Sequence, residues 1–150
     1  MNLAELAISL NARAAGLWQV YPKDLVQIEF WSAPDLSLEV ASSFSKATQQ
    51  VDRSRVELGI VGAVLAAHPR VSVAQDLHAD SGSGYWLRQF DADRSIAVPL
   101  VREGEPIAVA SVAIRGSEDD RTIALVTEFL ESWAEGAEGL DSPRATFQNE

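Results

Sequence analysis

The chain has 150 residues, a formal net charge of -10 at pH 7 and no cysteine. The acidic balance argues against a nucleic-acid partner, whose phosphates need clustered Lys and Arg; Lys23 and Lys46 are the only lysines, and Arg53 and Arg55 sit between Asp52 and Glu57. The lack of thiols excludes a disulfide framework, a thiolate zinc site, a cysteine nucleophile and a thioether-linked chromophore.

The length suits one domain burying roughly 70% of the surface its unfolded chain exposes. Met1 to Leu10 lacks the basic start and apolar core of a signal peptide, and no run of about 18 apolar residues occurs. The reading is a cytoplasmic protein with no membrane insertion.

Residues 2–17 place Leu3, Leu6, Ala7, Leu10, Ala14 and Leu17 at helical spacing, which predicts an amphipathic helix ending near Gly16. After Pro22, Leu25 to Trp31 alternates Val26, Ile28 and Phe30 with Gln27 and Glu29, the period of a strand. Leu38, Val40, Ala41, Phe44 and Ala47 predict a helix over 37–49, and Asp52 to Arg55 reads as a polar break. Val56 to Ala67 is a buried-helix pattern with Gly59 and Gly62, whose cost in a helix points to close backbone approach. Pro69 ends that helix. A short strand over 71–74 leads into a loop, His78 to Gly84, and then one or two helical turns, Tyr85 to Phe90.

Two apolar runs, Ser95 to Val101 and Ile107 to Ile114, flank Arg102-Glu103-Gly104-Glu105-Pro106 and read as an antiparallel hairpin. In the second run neither Ile107, Val109, Ser111 and Ala113 nor Ala108, Ala110, Val112 and Ile114 forms a solvent face, so this strand is expected mid-sheet, covered on both sides. Ser117 is the expected N-cap of a last helix over 122–134, with Glu118, Asp119 and Asp120 at its positive end. Residues 1–136 are thus expected as the domain and 137–150 as a flexible tail. The fold class is α+β, a central antiparallel sheet with helices on both faces.

Three stretches in this order resemble the GAF domain family. Leu58 to Val71 (LGIVGAVLAAHPRV) is similar to the family's glycine-bearing helix ending in a small residue, Pro and a β run. Asp76 to Asp80 is similar to its D-x-x-x-D. Arg94 to Leu100 (RSIAVPL), followed by Gly104 and Ile107 to Ala110, resembles its hairpin. The resemblance implies a GAF-like, profilin-like architecture and a stand-alone sensory or regulatory module in signal transduction, with any ligand on the sheet face opposite the terminal helices. It also implies a homodimer through those helices. The family's Asn-Lys-Phe-Asp-Glu set, its bilin-anchoring cysteine and Asp-Ile-Pro signature, and the catalytic cysteines of its methionine sulfoxide reductases are all missing, so the chain is read as no enzyme and no cofactor is named.

The candidate ligand wall is Asp76, Asp80, Ser83, Tyr85, Trp86, Arg88, Phe90 and Arg94: aromatic faces and forked donors suited to a small planar or anionic molecule. The plainer alternative has Tyr85, Leu87 and Phe90 sealing the core, with Arg88 and Arg94 paired to Asp80, Asp91 or Asp93. His68 and His78 could in principle meet a metal with Asp76 and Asp80, but their spacing matches no ligand box, and no metal is assigned. Leu3, Ile8, Leu10, Trp18, Leu125, Phe129 and Trp133 are the candidate dimer surface. A ligand-free homodimeric scaffold is the alternative function, and either reading implies a protein partner.

Overall fold

The computed structural model describes residues 1–74 and 83–140, with side chains through Gly136. Along the chain run α1 (Leu3–Ser9), β1 (Ala14–Val20), β2 (Asp24–Ser32), α2 (Leu38–Ala47), β3 (Gln50–Asp52), α3 (Gly59–Ala66), β4 (Arg70–Val73), α4 (Ser83–Phe90), β5 (Arg94–Arg102), β6 (Glu105–Ile114) and α5 (Asp119–Leu140). The strands make one sheet in the order β3-β2-β1-β6-β5-β4, and every pairing in it is antiparallel.

The predicted hairpin forms as β5 and β6, with a turn tighter than the five residues expected. Glu103 (φ 52) and Gly104 (φ 80) are both left-handed, the conformation that lets a two-residue turn match the twist of its strands. β6 lies between β1 and β5, buried from both faces as its lack of a polar side required. α1 and α5 cover one face, packing Leu3, Leu6, Val126, Phe129 and Leu130 on Leu17, Ile96, Val98, Ala108, Ala110 and Val112. On the other face α3 lays Ile60, Val61 and Val64 over Trp18, Ala97 and Val109, while Leu87 and Phe90 of α4 meet Ala14 and Ala113.

The N-terminal expectation is corrected. α1 starts at an Asn2–Glu5 capping box and stops at Ser9, because Asn11 turns left-handed at φ 53, a conformation asparagine tolerates better than most residues. Ala14 and Leu17 keep helical spacing with α1 only by coincidence; they belong to β1. β3 is an element the sequence reading does not include: only its last residue, Asp52, falls in the expected polar break over 52–55, and the strand buries Val51 between exposed Gln50 and Asp52. α5 begins earlier than predicted, with the Glu118 carbonyl accepting the Thr122 amide at 3.0 Å, so Glu118 rather than Ser117 stands at the cap. It also runs on to Leu140, past the expected start of the tail; residues 141–150 lie outside the described ones.

Three of the expected dimer residues have no surface to offer. Leu3 and Phe129 are buried under the sheet, and Trp18 sits on β1, on the opposite face, 1% exposed. Leu10, Leu125 and Trp133 are partly buried against the same core, and Ile8 is 68% exposed. No helix among the described residues is long and apolar enough to cross a membrane.

β5 is tied to α5 by Arg102, which donates to both Glu131 carboxylate oxygens at 2.7 and 3.3 Å. That hydrogen bond holds the Glu131 carboxyl below its ordinary range. A carboxylate lowered in the folded state contributes fully above its unfolded pKa, and the contribution fades as pH falls through the folded one. The gap in melting temperature between wild type and Glu131→Gln is therefore expected to close below about pH 4. Melts that show a constant gap down into acid would remove the pair as its source.

Candidate functional site

Alternation along three central strands sets small side chains on one patch of the sheet. Ala14 and Gly16 of β1, Ser95 of β5, and Ser111 and Ala113 of β6 share the face opposite α1 and α5 and floor a hollow of about 40 Å³. The hollow exists because these residues stop short of the layer above. Its walls are Trp18 and Phe30 from the sheet, Phe44 of α2, Leu58, Ile60, and Trp86, Leu87 and Phe90 of α4.

Phe44 sits at the middle of the walls. Its ring centroid is 5.1 Å from Trp86, 5.1 Å from Phe90 and 6.5 Å from Trp18, each edge-on, and 5.4 Å from Phe30. Edge-to-face contacts are the arrangement that ring quadrupoles favour. Trp18 is held by its own bond, Nε1–H donating to the Thr48 carbonyl at 2.7 Å. Its ring lies over Gly16, where a Cβ would come within 2.7 Å of Cζ3; that close approach is what the glycine supplies.

The start of α3 has no side-chain cap of its own. Ser83 of α4 serves instead, its Oγ accepting the Gly59 amide at 2.8 Å. A Cβ on Gly59 would lie 2.8 Å from Ser72 Oγ and 3.3 Å from Ser83 Oγ, so side-chain hydroxyls rather than the expected backbone close on this glycine, and at Gly62 the nearest atom, Arg70 Nη1, stands at an ordinary 3.4 Å. Beside the hollow a more polar groove of about 420 Å³ runs between the start of α3 and β4, lined by Glu57, Gly62, Arg70 and Ser72 among others. Arg55 donates to Glu57 at 2.5 Å and holds that carboxyl below its ordinary range.

The structure divides the predicted wall. Ser83, Trp86 and Phe90 line the hollow. Tyr85 stands behind Trp86, ring centroids 5.0 Å apart. Arg88 donates outward to the Ala74 carbonyl at 2.8 Å. Arg94 precedes Ser95 on β5 and so takes the other face, where it pairs with Asp119 at 2.9 and 3.1 Å. That partner was not among those foreseen: Asp91 accepts from Arg115 at 2.6 Å and Asp93 from the Gly116 amide at 2.9 Å. Asp76 and Asp80 lie outside the described residues, as does His78; His68 is exposed after α3, and no three metal-ligating side chains cluster among the described residues.

Sequence reasoning missed Gly16, Trp18, Phe30, Phe44, Ser95 and Ser111 as parts of this site. The Ala14/Gly16 and Ser111/Ala113 steps were its one visible signal, since small residues on alternate strand positions leave room above a sheet. Among the described residues every side chain on the hollow is neutral.

No protein-family model matches the sequence, and no curated protein matches it either. Solved structures do. The GAF-B domain of DevS from Mycobacterium smegmatis superposes with a TM-score of 0.61 at 18% identity, over 95% of this chain and 92% of its own. The GAF domain of a two-component sensor histidine kinase from Bacillus halodurans gives 0.61 at 11%, over 94% and 97%. The free methionine-R-sulfoxide reductase of Neisseria meningitidis, solved with its substrate, gives 0.59 at 19%, over 86% and 69%. At such identities the likeness speaks for architecture alone, and that architecture is the GAF fold.

Proposed function

We propose that the chain is a small-molecule sensory or regulatory module that takes its ligand in the hollow between β1, β5, β6 and the α2–α4 layer. The observation that carries this reading is the pairing of a small-residue floor with an aromatic roof, a neutral apolar recess with a few hydroxyls of the kind that small-molecule sites use. Ser83, Trp86 and Phe90 remain the ligand-facing members of the predicted wall, joined by Trp18 and Phe44. The signal leaves through the terminal helices to a protein partner, from a cytoplasmic location. A structural neighbour whose name includes a sensor histidine kinase supports a regulatory role. The reductases that share the fold make catalysis worth weighing, but cysteine chemistry has no residue here to act through.

A thermal-shift screen of nucleotides, amino acids, tetrapyrroles and aromatic acids tests the reading. A ligand at 100 times its Kd adds about 2.7 kcal/mol, a rise of roughly 5–10 °C at this size. The second reading, a ligand-free homodimeric scaffold, is favoured by the small volume of the hollow and by exposed Ile8 beside half-buried Leu10, Leu125 and Trp133. It is supported if no compound shifts the melt while light scattering returns twice the 16.2 kDa chain mass.

A further inference from the structure

We infer that the guest of the hollow is an uncharged aromatic molecule of one or two rings, which takes the place of the Phe44 ring and sets its polar edge on the Ser95 and Ser111 hydroxyls. This inference rests on the reading of the chain as a small-molecule module. Three observations carry it: the charge of the lining, the arrangement of its rings, and the way α2 is attached.

The first is charge. Among the described residues no ionisable side chain lines the hollow, and the described cations near it are engaged elsewhere: Arg88 on the Ala74 carbonyl, Arg94 on Asp119 across the sheet, and Arg13 on the Phe90 carbonyl and Asp35. A carboxylate or phosphate entering here would leave water with only neutral hydroxyls to meet its charge. A neutral guest with one hydroxyl or ring N–H meets no such cost, and no bond to either the Ser95 or the Ser111 hydroxyl is seen among the described residues.

The second is the cage. Trp18, Phe30, Trp86 and Phe90 each pack against one flat ring, and the ring there now is the partly buried Phe44. The residual space of about 40 Å³ has room for a few waters at most, whereas a cavity known to take benzene is on the order of 150 Å³. A ring can therefore enter only where a ring leaves.

The third is that α2 is a cover that can give way. Ala41 is its only fully buried residue, and Leu38 at its start is 86% exposed. Swinging Phe44 out moves one short helix about its C-terminal end, where Trp18 bonds the Thr48 carbonyl and Gln27 bonds Ser45 and Thr48, and does not involve the α1/α5 layer on the opposite face. Binding would thus be reported as a movement of α2. Because the guest competes with a side chain, wild-type affinity is reduced by the fraction of time that Phe44 is out.

Calorimetric titration of the whole chain with phenol and indole, against benzoate and indole-3-carboxylate, tests the inference. Phenol and indole are expected to bind saturably and the two anions at least tenfold more weakly. Phe44→Leu, which keeps more apolar bulk than Phe44→Ala and so costs less stability, is expected to tighten phenol at least tenfold; Ser111→Ala is expected to weaken it several-fold. Anions binding as well as phenol, or Phe44→Leu leaving phenol affinity unchanged, would overturn it. So would silence from phenol and indole with both proteins. If that silence came alongside a hit in the thermal-shift screen, the ligand class would fall while the sensor reading stood; silence in both would take the two together.

Discussion

Replacing Phe44 by alanine is expected to lower the unfolding free energy by about 3–5 kcal/mol, a drop of roughly 10 °C in Tm at this chain length. The loss is large because one ring touches four others, and each favourable aromatic pair adds about 0.5–1.5 kcal/mol beyond its buried area. Leu38→Ala on the same helix is the control: its side chain is 86% exposed, so a change within about 0.5 kcal/mol is expected. Thermal melts of both variants decide the matter. Equal, small losses would mean that α2 does not pack where it is described.

Arg13→Met should cost about 1–3 kcal/mol, the penalty of a buried acceptor left unpaired. Arg13 is buried at the start of β1, its Nε–H donating to the Phe90 carbonyl at 3.0 Å and its Nη1 to Asp35 at 2.8 Å. The two bonds differ in worth. Asp35 has a side chain 71% exposed, so although Arg13 holds its carboxyl below the ordinary range, water replaces that partner easily. The Phe90 carbonyl ends α4 in the interior and has no such substitute. Asp35→Asn is accordingly expected to leave urea midpoints nearly unchanged while Arg13→Met lowers them; a larger effect from Asp35→Asn would reverse the assignment.

Much of the architecture could be read from the chain because periodicity is a property of neighbours. The β5–β6 hairpin, β2, and the helices α2, α3 and α5 each carry their own pattern of apolar spacing. β1 does not: AAGLWQV is buried from both faces at its start, so it shows no alternation, and its Ala14 and Leu17 happened to continue the spacing of α1. Asn11 was the readable clue, a residue suited to the left-handed turn that ends a helix.

The candidate site was legible only where it is contiguous. Ser83, Trp86 and Phe90 lie on one short helix ahead of the hairpin and were found together. Trp18, Phe44 and Ser111 come from three separate segments, and only the sheet order brings them to one place. Arg94 shows the opposite failure. Once β5 is known to start at Arg94, strand alternation sets it against Ser95, and a residue next in sequence to the hollow turns out to face α5.

The seam between β1 and β6 joins residues 14–19 to residues 108–113, so the middle of the sheet is stitched from the two ends of the chain. The hairpin beside it closes over a two-residue turn at little entropic cost, whereas the seam closes the longest loop of any strand pairing in the sheet. A polypeptide emerging from the ribosome can pair β1 with β2 at once but must leave the other edge of β1 open until β6 has cleared the exit tunnel. Truncation before Glu105 should leave the first strands with no neighbour on that side, a half-sheet exposed to aggregation rather than a smaller working domain.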